Sequence, residues 1–229
     1  MRTMAAAALV ALLVFALAAN ARAEEKNFGV GLMVGYHNFV RYEAVAGPNS
    51  NGILDDGEID RAVGSGAFNG FTIEGDFEYR FFPYFELGGA LQWYGADASV
   101  DTITEKNRVR GNFTVSVTAL TITPRLVLPL DPVRLYTGAG IGLYWRVMDT
   151  SFSVLGENDV TTSENNTDSS GQIGYHVMVG AEFIVTPWLG VTLEDRFAFV
   201  HFRGQDPVTN LDDGDFGGNS VLIGTRFHF

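Results

Sequence analysis

The stretch Gly218-Asn-Ser-Val-Leu-Ile-Gly-Thr-Arg-Phe-His-Phe229 alternates residue by residue. On an extended strand, Val221, Ile223, Thr225, Phe227 and Phe229 fall on one face. Ser220, Leu222, Gly224, Arg226 and His228 fall on the other, which is mostly polar or small. Such a strand needs two solvents, lipid on one side and a polar interior on the other. It predicts one strand of a transmembrane β-barrel.

The opposite end gives the same address. Met1–Ala23 starts with a basic Arg2, continues through an apolar run from Met4 to Ala19, and closes on Ala21-Arg22-Ala23. A basic start, a short apolar core and a small-x-small site predict a secretory signal peptide, cleaved before Glu24. A transmembrane helix is the rival reading, but the run is short and its flanks are those of a cleavage site. The predicted domains are therefore a signal peptide over 1–23 and a barrel over 24–229.

Composition narrows the class. The chain has no cysteine, which removes disulfide and thiol chemistry. It has 27 glycines and 13% aromatics, which suits twisted strands with aromatic girdles better than a helical enzyme. Mean hydropathy is only +0.10 because apolar residues alternate with polar ones instead of clustering. Without Arg2 and Arg22, 13 Lys and Arg face 27 Asp and Glu, a net charge of −14. Nucleic-acid phosphates require a basic surface, so nucleic acid is excluded as a partner.

Period-two alternation picks out eight segments, near 28–42, 68–82, 85–95, 112–128, 134–147, 173–185, 189–200 and 218–229. The second is the clearest. Phe71, Ile73, Phe77, Tyr79 and Phe81 face one way, and Thr72, Glu74, Asp76, Glu78 and Arg80 the other. In the fourth, Leu120, Ile122, Leu126 and Leu128 read as outward, yet Phe113, Val115 and Val117 have the opposite parity. A bulge near Ala119, or a strand projecting beyond the membrane, accounts for that. Asp195 has lipid-facing parity, which predicts a place near the outer rim or a bulge that turns it inward.

Connections sort into short turns after strands two, four and six, and long polar segments after strands one, three, five and seven. The prediction is an all-β fold: a closed, eight-stranded, antiparallel up-and-down barrel with three short periplasmic turns and four long extracellular loops. An eight-stranded barrel is narrow enough for side chains to fill it.

Two hairpins carry a family resemblance. Thr123-Pro124, with Leu135-Tyr136-Thr137-Gly138-Ala139-Gly140-Ile141-Gly142-Leu143-Tyr144, resembles a recurring hairpin of small outer-membrane barrels. Gly174-Tyr175-His176, Gly180-Ala181-Glu182-Phe183, Thr186-Pro187-Trp188-Leu189 and Leu193-Glu194 with Arg196 resemble the next hairpin. The families are the OmpA-like, OmpX-like and OmpW-like proteins of the Gram-negative outer membrane, and the resemblance spans the mature chain. It implies a non-catalytic protein with a role in adhesion, structural support or small pores. It also implies outer-membrane lipid and lipopolysaccharide as surroundings. The barrel-assembly machinery would read the C-terminal strand, with Phe227 and Phe229 as the assembly signal.

Parity sends Glu74, Asp76, Glu78, Glu86, Glu182 and Glu194 inward, with Arg80, Arg125, Arg146, Arg196 and Arg226. Buried charges must be paired, and this near-balance predicts an ion-pair network that plugs the lumen. The alternatives are a narrow OmpW-like pore for small or hydrophobic solutes, and catalysis by a carboxylate of this cluster. A lipid A-modifying enzyme would need Ser, His and an acid near the outer leaflet, and no His-x-Ser pairing occurs. His37, His176 and His201 read as extracellular-end residues, with His176 opening the sixth strand, and His228 as periplasmic. All four are expected to be surface or lumen histidines. Gly138, Gly140 and Gly142 lack nucleotide-loop spacing and a following helix, so they predict tight curvature or close packing inside the barrel.

Segments 43–67, 96–111, 148–172 and 201–218 together carry 17 acids and 5 Lys or Arg, an acidic outer surface for an unknown extracellular partner. Within the first, Gly47–Glu58 follows a calcium-loop pattern, with Asn49, Asn51, Ile53, Asp55 and Glu58 at ligand positions and Gly52 at the turn. Gly47 stands where the first carboxylate belongs, so a Gly/Asn/Asp-rich loop is the competing reading. No other cofactor is expected. The leading expectation is a structural or surface-interaction protein of the bacterial outer membrane.

Overall fold

The computed structural model describes residues 27–39, 69–103, 108–155, 161–202, 214–215 and 217–229. The expected signal segment and the candidate calcium-loop residues Asn49, Asn51, Ile53, Asp55 and Glu58 lie outside them. The strands are β1 (Phe28–Phe39), β2 (Asn69–Phe82), β3 (Phe85–Ile103), β4 (Arg108–Leu130) and β5 (Val133–Leu155). They continue with β6 (Thr161–Thr186), β7 (Leu189–Phe199), β8 (His201–Phe202), β9 (Gly214–Asp215) and β10 (Gly218–His228).

All but β8 and β9 form one closed antiparallel barrel, in which β10 returns to pair with β1; β8 and β9 make a separate two-stranded ladder. Closure is sealed at the last residue, where the Phe229 N–H donates to Phe28 O at 2.8 Å and the Phe28 N–H to Phe229 O at 3.3 Å. Short turns at Pro83-Tyr84, Asp131-Pro132 and Pro187-Trp188 join β2 to β3, β4 to β5 and β6 to β7.

The register fixes the barrel's girth. From Arg80 the ladder runs through Glu86, Arg125, Gly138, Met178, Arg196, Ser220 and His37, and returns to β2 at Gly70. The return is ten residues from the start, since 80 − 70 = 10. A stagger of that size over eight strands tilts them by about 40° and leaves a bore that side chains can span.

The wall alternates as its sequence dictates. Leu32, Phe77, Ile122, Ile141, Val179 and Ile223 are exposed on the outside, whereas Met33, Glu78, Thr121, Gly142, Met178 and Leu222 are buried. Aromatic pairs band both rims. Trp188 stacks on Phe227 near the periplasmic end at 6.0 Å, and Tyr175 on Phe199 near the outer end at 5.0 Å.

Three expectations change. First, β3–β6 run far past their expected ends. Pairs continue to Ile103↔Arg108, Arg108↔Leu155 and Leu155↔Thr161, so two of the four expected long loops are mostly strand. A sheet that extends past the lipid needs no apolar outer face, so its sequence there carries no lipid-facing alternation. Second, β4 has no bulge near Ala119, and its register with β3 is unbroken from Phe85↔Leu126 to Ile103↔Arg108. Val115 and Val117 instead point into the barrel, with Ala119, because the upper lumen is apolar. The register shifts lie close to turns, at Arg80/Phe82 and Ile184/Thr186. Third, of the two places expected for Asp195, the bulge that would turn it inward is absent. Asp195 pairs in register with Val179 and Val221 and is exposed on the outer face.

Candidate functional site

The barrel interior holds the charges that parity placed there. Glu74, Asp76, Glu78, Glu86, Arg125, Arg146, Glu182, Glu194, Arg196 and Arg226 are buried, and Arg80 is half-buried near the periplasmic turn. They lie on β2, β3, β4, β5, β6, β7 and β10, so each pair reaches across the bore or along its wall.

The arrangement is built in tiers from the periplasmic end. Arg80 Nε donates to Glu86 Oε1 at 3.0 Å. Arg134 also contacts Glu86, bonds Glu182 at 2.8 Å and lies 3.6 Å from Glu78. His228 shares a 2.7 Å hydrogen bond with Glu182. Above this, Arg226 donates to Asp76 at 2.6 Å and lies 3.1 Å from Glu78. Arg125 donates to Glu78 at 3.3 Å and stands 3.7 Å from Asp76.

Tyr136 organises this tier. The guanidinium carbons of Arg125 and Arg226 lie 5.4 and 5.6 Å from its ring centroid. Its hydroxyl donates to Glu194 Oε2 at 3.0 Å. The next tier is Arg196, which donates to both oxygens of Glu74 at 2.5 and 2.8 Å and to Glu194 Oε1 at 2.6 and 3.1 Å. Two-toothed guanidinium–carboxylate pairs of this type are strong and directional.

Glycines make room for these large groups. A methyl at Gly88 would lie 2.7 Å from the Arg125 guanidinium carbon, and one at Gly180 would run into the Tyr136 ring. At Gly140 it would meet the His176 ring at 2.7 Å, which accords with the close packing expected of the Gly138–Gly142 run.

Higher up, charge gives way to neutral contacts. His176 shares a 2.7 Å bond with Thr123, and His37 one of 2.7 Å with Ser220. Gln92 Nε2 donates to Thr72 and Ser220 at 3.1 Å each. The His37 ring stacks on Tyr94 at 3.9 Å, with Phe39 edge-on at 4.5 Å. Val115, Val117 and Met148 are buried above the charged tiers. Arg146 contacts Asp168 and sits 5.3 Å from the centre of the Phe202 ring.

Several of these residues escaped the sequence reading. Arg134 has inward parity and touches three acids, but it sits at the strand's first turn. Asp168, in a segment expected to be a long loop, lies on β6. His176 lies inside the barrel, 15 residues into β6, since 176 − 161 = 15, and does not open the strand. Ser220 and His37 do meet, yet both are buried and the other ring nitrogen of His37, Nε2, has no hydrogen-bond partner among the described residues. No acid among the described residues orients the ring, so among them the pair lacks the third member of a nucleophilic triad. Glu78, Glu182 and His228 lie close enough for one ion, but Arg134 and Arg226 already occupy their oxygens.

The outer membrane protein beta-barrel domain model matches residues 7–229. The chain belongs to that family. It is an integral β-barrel of the bacterial outer membrane. No curated sequence matches it. Among solved structures, this barrel is similar to OprG from Pseudomonas aeruginosa, at 11% identity and a TM-score of 0.56, over 89% of this chain and 95% of that one. It is also similar to Neisserial surface protein A, at 13% identity and a TM-score of 0.47, over 90% and 98%. A third is the attachment invasion locus protein Ail of Yersinia pestis with a heparin analogue, at 14% and 0.41, over 89% and 99%. At these identities the likeness to OprG speaks for the outer-membrane barrel fold alone.

Proposed function

We propose that this outer-membrane barrel is a structural and surface-interaction protein, closed by its own ion pairs, that meets partners through its acidic extracellular side. The observation that carries the reading is the contact of Arg196 on β7 with Glu74 on β2 and Glu194, which crosses the bore at mid-height. Ion pairs below it and apolar side chains above it support the same reading. A narrow solute path is the opposing reading.

The test is conductance of the refolded mature protein in a planar lipid bilayer, beside an Arg125→Ala/Glu182→Ala variant. A silent wild type with a leaking variant is expected. Steady wild-type openings of reproducible size would overturn the proposal in favour of a pore.

A further inference from the structure

Asp195 is the anomaly of the outer wall. It is exposed between Val179 and Val221, on a face otherwise apolar at this level. Four residues of β7 separate it from Phe199. At about 3.3 Å per residue and ~40° of tilt, it lies roughly 10 Å below the outer aromatic band. The Trp188 turn is seven residues away, about 18 Å on the same reckoning. The carboxylate is therefore in the acyl region of the outer leaflet, where an uncompensated one is costly.

It is half compensated. Asn219 Nδ2 donates to Asp195 Oδ1 at 2.7 Å. Asn219 pairs in register with Asn38, and Asn38 with Asn69, so four polar side chains step down the wall over β2, β1, β10 and β7. All four share the outward parity of Phe71, Tyr36 and Val221. No such strip occurs elsewhere on the described outer wall at this depth.

We propose that Asp195 and Asn219 form a lipid-binding site on the barrel wall, for a saccharolipid with amide-linked 3-hydroxyacyl chains. The chemistry selects that lipid. A carboxylate oxygen at this depth needs a donor. The acyl region of an ordinary glycerophospholipid offers ester carbonyls, which only accept. A 3-hydroxyacyl chain carries an O–H a few carbons below its linkage, and an amide linkage carries an N–H. Both groups lie at or just below the linkage, and the Asp195 carboxylate, exposed to the bilayer and drawn toward Asn219 by their hydrogen bond, can accept from either, while the asparagines above can bond the sugar region. The site lies outside the lumen and is independent of whether the lumen is closed.

The experiment compares melting temperatures of the refolded full barrel in vesicles of phosphatidylethanolamine alone and of the same lipid with hydroxyacylated lipid A. A synthetic lipid A without the acyl hydroxyls is the third composition. The wild type should melt higher with the hydroxylated lipid than with the other two. Asp195→Leu and Asn219→Leu should lose that difference and still fold, while Asp195→Asn, which keeps an acceptor, should retain part of it. An equal response of wild type and Asp195→Leu, or no response to the hydroxyls, overturns the site. Chemical cross-linking in the same vesicles gives a second check. Dimers that depend on Asp195 and not on lipid composition would overturn it in favour of contact with a second copy.

Discussion

Arg196 holds both carboxylate oxygens of Glu74, at 2.5 and 2.8 Å, although β1 and β10 stand between their strands in the wall. The same guanidinium binds Glu194 on its own strand. One cation thus neutralises two carboxylates that would otherwise repel each other in a narrow bore. Removing it strands both. Arg196→Met should cost about 3–5 kcal/mol in urea unfolding from vesicles. Adding Glu74→Met should return part of that loss, and the double-mutant cycle measures the coupling.

Arg134 sits at the periplasmic mouth but is not the sole partner of any acid it touches. Glu86 keeps Arg80, Glu182 keeps His228 and Arg226, and Glu78 keeps Arg125 and Arg226. Arg134→Ala should therefore cost only about 1–2 kcal/mol, and a planar bilayer should stay silent because the tiers above remain. Channel openings in this variant would show that the barrier sits at the mouth.

Gly180 lies against the Tyr136 ring, and that ring sets Glu194, Arg125 and Arg226. Gly180→Ala should cost about 1–3 kcal/mol by forcing the ring aside. The larger loss expected for Gly180→Ala combined with Tyr136→Phe would trace to Glu194 Oε2 losing the tyrosine hydroxyl, while Oε1 keeps Arg196. Chemical unfolding of the two variants decides it.

Val117 and Thr118 differ by one residue and by the face they occupy. Val117→Asp should destabilise the barrel by roughly 3 kcal/mol or more, since it buries an unpaired charge. Thr118→Asp, between Trp93 and Trp145 on the outer face, should cost less. A bulge at Ala119 would reverse the order, so unfolding midpoints of the two variants test the register directly.

The barrel was legible wherever one face meets lipid and the other a polar core. Phe71 through Arg80 shows this, and its alternation matches the wall residue for residue. Alternation fails as a guide where the two solvents become alike. Thr161–Ser170 carries no apolar side chain and reads as loop, although it pairs with β5 throughout. It also misleads where the interior turns apolar, as at Val115 and Val117. The charged site followed from parity alone, but not the pairing, because tilt and stagger decide which inward residues meet. Tyr136 serves as a shared platform for two arginines, a role no spacing announces.

The ten-residue stagger has a consequence for assembly. A one-residue slip between neighbouring strands would turn lipid-facing side chains inward, so apolar patterning forbids it. A two-residue slip preserves inside and outside, and patterning alone is indifferent to it. It would, however, displace one strand by about 7 Å along its neighbour. Arg226 on β10 would then leave Asp76 and Glu78, and Arg196 on β7 would leave Glu74. The lumen charges thus act like the cuts of a key: among closures that satisfy the lipid, only one brings every acid to its base.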